Sequence, residues 1–167
     1  MNTKQQEILK QLAKIGDVIF IRTDGSRLII NEEGKVPLQT QADAVLYYIE
    51  RLDNDMLKLI LDTDYVNKEF DKKAFINNIA NAFDKFLETG NTFLNRYEGK
   101  CNSDICSNTN CVGYSFVGNK TNDYIDLIVE IKNDKVIDIY ECNQFENVDK
   151  DFFKNQKITI DSITDLF

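Results

Sequence analysis

Histidine is absent from this chain of 167 residues. The absence excludes an imidazole general base, a Ser-His-Asp or Cys-His catalytic arrangement, and every zinc site that uses a histidine ligand. Any catalysis or metal binding must therefore rely on carboxylates, hydroxyls and thiols.

Long apolar stretches are also lacking. No run approaches the roughly 18 apolar residues of a membrane-spanning helix, and the N-terminal residues show no apolar core followed by a small-residue cleavage site. We therefore predict a soluble cytoplasmic protein with no membrane partner, in which thiols stay reduced. A secreted chain from which the signal peptide had been removed would show the same sequence features.

Basic residues are in deficit, with 20 Lys and Arg against 28 Asp and Glu, which gives a formal charge of −8. Such a chain is poorly suited to a nucleic-acid phosphate surface and better suited to a basic protein partner. The glycines have no phosphate-cradling spacing. No repeat or low-complexity linker divides the chain, so residues 1–167 are predicted to form a single domain.

The hydrophobic periodicities predict an α+β fold, with N-terminal helices and a hairpin, then a long amphipathic helix packed on a mostly antiparallel sheet that ends in a C-terminal β-meander. Helices are predicted at residues 2–15, from Thr40 through Leu52, at 56–61 and at 71–89, and strands at 18–21, 28–30, 92–97, 112–117, 124–131, 135–142 and 157–160. Residues 31–37 are expected to be a connector, because they hold the only proline.

The last hairpin of the meander is predicted to turn at Asn133-Asp134, since both residue types tolerate positive φ. With that turn, Ile131 faces Val136, Val129 faces Asp138, and Ile125 faces Cys142. The set that includes Ile125, Leu127, Val129 and Ile131 then forms an apolar face. On the opposite, mixed face, Asp126 lies across from Glu141.

Three of the four cysteines, Cys101, Cys106 and Cys111, share a polar loop. We predict that they form a zinc site, with Asp104 or water as the fourth ligand. The predicted meander places Cys142 about 20 Å away at the other end of the sheet, as a buried core thiol. Two alternatives remain: free thiols or one disulfide plus a spare thiol, and a redox or catalytic cysteine, although no C-x-x-C motif supports the latter.

Asp138 is the one carboxylate on the predicted apolar face, close to Tyr140. A desolvated carboxylate in a pocket is a candidate acid or base. Two classes of function therefore stay open. One is an interaction or binding module with a structural metal in the cysteine loop. The other is a small-molecule-binding pocket protein or a histidine-free enzyme that uses Asp138 and Tyr140.

Overall fold

A computed structural model describes residues 3–4, 7–8, 18–21, 27–31, 34–61, 71–102, 111–142 and 144–160. It has the predicted α+β fold, with three helices in the described residues and a five-stranded antiparallel sheet that contains the C-terminal meander. Of the predicted N-terminal helix, Thr3, Lys4, Glu7 and Ile8 are helical, and the rest lies outside the described residues.

The chain divides into two compact units, residues 1–44 and 45–167. The prediction of a single domain stays a prediction. The first unit contains an antiparallel sheet of three strands, which are β1 (Val18–Ile21), β2 (Arg27–Asn31) and β3 (Gly34–Gln39). The predicted pairing of the first two strands is confirmed, with Val18 opposite Ile30.

Strand β3 occupies the segment that we expected to be a connector. Its proline is accommodated by a register shift, because Leu28 pairs with Leu38 while Ile30 already pairs with Lys35. Two residues, Val36 and Pro37, therefore oppose one residue of β2. Proline has no backbone N–H for a ladder, and a bulge of this kind is where a strand tolerates it.

The helices begin at side-chain caps. In α1 (Gln41–Glu50), the Asp43 N–H donates to Thr40 Oγ1 at 3.2 Å and the Thr40 N–H donates to Asp43 Oδ2 at 3.4 Å, which is the predicted capping box. Asp53 caps α2 (Asn54–Ile60), and Asp71 caps the long helix α3 (Lys72–Glu88) by accepting from the Ala74 N–H at 2.7 Å. Gly90, at φ 95°, follows the end of α3.

The second unit contains a sheet in the order β7-β6-β5-β4-β8, and every pair is antiparallel. Its strands are β4 (Leu94–Cys101), β5 (Cys111–Gly118), β6 (Tyr124–Lys132), β7 (Lys135–Tyr140) and β8 (Phe145–Asn147). The short β8 is not part of the meander. It pairs with the far side of β4, at Gly99, Lys100 and Cys101 only.

One face of this sheet, here called the helix face, completes the core with the long helix. Its central side chains are 3% exposed or less: Phe116, Ile125, Leu127, Val129, Val136 and Ile139. The buried stripe of α3 supplies the other half of this core with Phe75, Ile76, Ile79, Ala82, Phe83 and Phe86. Because the stripe recurs every three to four residues, one side of the helix stays apolar along its whole length.

The predicted hairpin between β6 and β7 is confirmed at its turn, where Asn133 and Asp134 have φ values of 53° and 62°. Its register is as predicted at Ile131 and Val136, and then shifts so that Glu130 pairs with Asp138. The shift corrects the predicted position of Asp138. This residue lies opposite Glu130 rather than Val129, and therefore on the face away from the helices.

The turn residues give a direct stability test. Asp134→Gly should stabilise the protein by about 0.5–1 kcal/mol, because glycine adopts positive φ without a Cβ penalty. Asp134→Ala is the matched control and should destabilise by roughly 1 kcal/mol. Urea unfolding of both variants checks the signs, and equal stabilities would contradict the turn assignment.

Candidate functional site

The face of the sheet that the helices do not cover is covered by the end of the chain. We call residues 141–160 the strap and the sheet face that it covers the strap face. The residues on the strap face are Tyr97, Gly99, Cys101, Cys111, Gly113, Ser115, Tyr124, Asp126, Ile128, Asp138 and Tyr140. The Phe152 ring stacks on Tyr97, with centroids 4.0 Å apart. The Ile158 N–H donates to the Tyr124 carbonyl at 2.7 Å. The strap thus makes the sheet the middle layer of the unit.

A disulfide between Cys101 and Cys142 joins the strap to the end of β4, with Cα atoms 6.2 Å apart. The expected separation of these cysteines by the length of the sheet was wrong. Strand β7 stops pairing at Tyr140, opposite Ile128, and the chain then crosses toward β4 instead of continuing along β6. The predicted burial of Cys142 is confirmed, at 8% exposure, but its sulfur is bonded.

The predicted zinc site stays a prediction, because Asp104 and Cys106 lie outside the described residues. In the disulfide state the Cys101 sulfur is not a thiolate and cannot serve as a ligand. Within the described ranges there is no group of three or more Cys, Asp or Glu side chains that could hold a metal ion. Cys111 is a free, half-buried thiol.

Two glycines let the strap pass close to the surface of the sheet. Gly99 and Gly113 are direct partners on β4 and β5, and the Phe145 ring rests on both. A Cβ on Gly113 would lie 2.8 Å from both the Gly99 carbonyl oxygen and the Phe145 ring. No side chain fits there, so these positions need glycine for close approach rather than for a turn.

An ion pair under the strap joins Lys154 to Asp126, with Nζ and Oδ1 3.0 Å apart. Asp126 also accepts a hydrogen bond from the Ser115 hydroxyl, and that hydroxyl accepts one from Asn147 at 2.9 Å. The Lys154 ammonium lies 4.4 Å from the centre of the Tyr124 ring and 5.3 Å from that of Phe145. We call this hydrogen-bonded ion pair the lock.

Asp126 and Glu141, expected to face one another, have separate partners. Glu141 accepts from the Ile160 N–H at 3.1 Å.

The candidate catalytic residues Asp138 and Tyr140 both lie on the strap face, and Asp138 is 5% exposed. The Tyr140 hydroxyl lies 3.7 Å from the Cys111 sulfur. A catalytic role for Asp138 and Tyr140 stays a prediction.

The outer edge of β4 is only partly paired. The Glu98 carbonyl accepts from Val148 on the β8 side, whereas the Phe93 carbonyl accepts from Asn119 at the end of β5. Because hydrogen-bonding directions alternate along a strand, the backbone groups of Leu94 and Arg96 point away from β5. Strand β8 ends before it reaches them. Arg96 is exposed there, whereas Leu94 is buried at 2% exposure.

An open cleft of about 590 Å³ runs along this edge. Its walls are the end of α1, with Glu50 and Arg51, and five consecutive residues, 92–96. Phe93 is 47% exposed there. The Arg96 guanidinium lies 2.9 Å from the Glu50 carboxylate and over the Tyr114 ring.

The acidic side chain in this cleft has a shifted pKa. Burial raises the pKa of Glu50 above its ordinary 4.5, and the nearby Arg96 charge offsets part of the rise. As the pH falls through this raised pKa, Glu50 loses its charge and the cleft becomes more positive. The cleft lining holds one acidic side chain, Glu50, and two basic ones, Arg51 and Arg96.

Sequence reasoning missed this edge, although residues 92–97 were predicted to be a strand. The strand order determines which edge is open, and β8, a three-residue strand, carries little signal in the sequence. Lys154 was also missed, because its partner Asp126 lies 28 residues earlier in the chain.

Comparisons with known proteins identify no relative. No protein-family model, no curated protein and no solved structure matches the chain. Within the part of the chain that is described, no helix has the length and apolar character needed to span a bilayer. Function must therefore be inferred from the geometry of the sites.

The lock under the strap can be tested with a double-mutant cycle. Lys154→Met should destabilise by about 2–3 kcal/mol, because it leaves a buried carboxylate without its counter-charge. Adding Asp126→Asn should recover at least about 1 kcal/mol of that loss. Urea unfolding gives both values.

The control for this cycle is Lys150→Met. Lys150 pairs with Glu146 at 2.9 Å, but both side chains are well exposed, so the change should stay within about 0.5 kcal/mol. Equal losses for the two lysine variants would show that Lys154 is not locked under the strap.

The disulfide should contribute more than the ion pair. It closes a loop with a sequence separation of 41, for which chain entropy gives about 4 kcal/mol. Cys142→Ser should therefore lower the free energy of unfolding by about 2–4 kcal/mol. Reduced wild-type protein should match the variant, and a variant as stable as the oxidised protein would contradict the disulfide.

Proposed function

We propose that the protein is a non-enzymatic interaction module that binds an extended peptide segment of a basic partner as an added strand on β4. The observation that supports this most directly is Arg96, an exposed residue that lines the open cleft and whose backbone groups point away from β5 beyond the end of β8. Addition of a strand at a sheet edge is a recurring mode of peptide recognition.

The energetics favour a short segment. Arg96 offers two backbone hydrogen bonds, each with a net contribution of about 0.5–1.5 kcal/mol. The exposed Phe93 ring adds an apolar contact. The charge-balanced pair of Glu50 and Arg96 supplies polar partners for side chains on alternate positions of the peptide.

Charge distinguishes the two possible occupants of the edge. A second copy of this chain would bring together two molecules of charge −8, which repel at long range. A basic partner is attracted by the same field, and its association is accelerated. The occupant is therefore a basic protein rather than another copy.

The other expectations from the sequence have less support. A pocket protein that uses Asp138 and Tyr140 requires a cavity on the strap face, and the described cleft lies elsewhere. A cytoplasmic location stays a prediction. A lasting Cys101–Cys142 disulfide favours an oxidising compartment instead.

Amide hydrogen exchange tests the edge in the free protein. The Arg96 amide should exchange much faster than those of Asn95 and Tyr97, which point toward β5. Slow exchange at all three positions would show that the edge is covered. Protection that rises with protein concentration alone would identify a second copy as the occupant and overturn the proposal.

Binding is tested with phage-displayed random linear peptides selected on the wild-type protein and then synthesised. Selected peptides should be rich in Lys and Arg and should protect the Arg96 amide. Arg96→Pro should abolish binding, because it removes an outward N–H at an edge that tolerates proline. Arg96→Ala is the matched control, losing the side chain but keeping the N–H and most of the affinity. Equal binding by both variants would rule out strand addition.

A further inference from the structure

The free thiol of Cys111 lies on the same face as the disulfide. Gly99 and Gly113 are paired, and Cys101 and Cys111 each lie two residues further toward the same end of the β4–β5 ladder. Side chains alternate along a strand, so Cys101 and Cys111 both project on the strap face, just beyond the last β4–β5 pair at Gly99 and Gly113. Because ladder pairing does not fix the two positions relative to each other, the strand ends can bring their Cα atoms within the roughly 7 Å that a disulfide spans.

The partners of the two outer sulfurs suit an exchange reaction. The Tyr140 hydroxyl lies 3.7 Å from the Cys111 sulfur, where it can donate a hydrogen bond to a thiolate. The Cys142 sulfur accepts from the Gln144 N–H at 3.4 Å, which stabilises negative charge on that sulfur. A stabilised leaving thiolate departs faster.

We infer that Cys101, Cys111 and Cys142 form a thiol–disulfide exchange site, in which Cys111 attacks Cys101 and releases Cys142. This inference does not depend on the proposed binding function. It assigns a chemical role to Cys111, which takes no part in holding the strap or in the proposed peptide binding.

The reaction is an isomerisation and needs no external oxidant or reductant. Cys111 loses its proton, and its thiolate forms a bond with the Cys101 sulfur. The Cys101–Cys142 bond breaks, and its electron pair leaves with Cys142, which takes up the proton. One disulfide and one thiol are present before and after the step.

The consequence is a change in how the strap is held. With Cys101–Cys142 the strap is covalently tied to β4, whereas with Cys101–Cys111 it is held by noncovalent contacts alone, which include the β8–β4 pairing, the Lys154–Asp126 ion pair and packing. The exchange therefore loosens the strap without reducing the protein.

Disulfide mapping of the full chain tests the site. Cys106→Ser is used as the background, since Cys106 is the one other thiol in the sequence. The oxidised protein is incubated between mildly acidic and mildly alkaline pH, trapped with N-ethylmaleimide, digested with pepsin and mapped by mass spectrometry. We expect both Cys101–Cys142 and Cys101–Cys111 peptides, with the Cys101–Cys111 fraction rising during the incubation to a constant value.

Two further variants make the outcome decisive. Tyr140→Phe should slow the exchange severalfold while leaving the native disulfide intact. In the Cys106→Ser, Cys142→Ser protein, a glutathione redox buffer should produce a Cys101–Cys111 disulfide with native-like near-ultraviolet circular dichroism. The proposal is overturned if this protein yields only glutathione mixed disulfides, or if the background protein shows Cys101–Cys142 alone with Cys111 fully alkylated at every time.

Discussion

The larger unit is shaped by the need to cover both faces of its central sheet. Strand β6 is buried on both sides, with Ile125, Leu127 and Val129 toward the helices and Ile128 toward the strap. The long helix meets the first need with a continuous apolar stripe. The strap meets the second with backbone hydrogen bonds at the β4 and β6 edges, and with one disulfide, one ion pair and stacked rings. Such a cover is expected to open at lower free energy than the core beneath it.

Local features of the fold were readable from the sequence. Three of them are the capping box at Thr40, the cap at Asp71 and the turn at Asn133-Asp134. Each arises from residues within a few positions of each other, so the local sequence predicts it. The amphipathic period of α3 is equally local. The α+β fold follows from these elements, because a long amphipathic helix and a meander with one apolar face bury one another.

Long-range features were not readable. The register shift that moved Asp138 to the other face carries no glycine or proline, and a shift of one residue inverts every later side chain. The error propagated to Cys142, because the predicted 20 Å separation assumed that β7 continued to its end. For the same reason, Cys142, which was predicted to be a core thiol, forms a disulfide with Cys101. A pairing across 41 residues depends on where a strand stops, which no neighbouring residue specifies.

Strand β8 and the open cleft share a single edge, one beyond the other. In the proposed binding mode, a segment added beside Arg96 would meet Val148 within a few residues, since each residue advances only about 3.3 Å. Strand β8 would then act as a stop and limit the length of the bound segment. Recognition through so short a footprint is inherently weak, rapidly reversible and tolerant of sequence changes outside it. These are the properties of a signalling contact rather than of a permanent subunit interface.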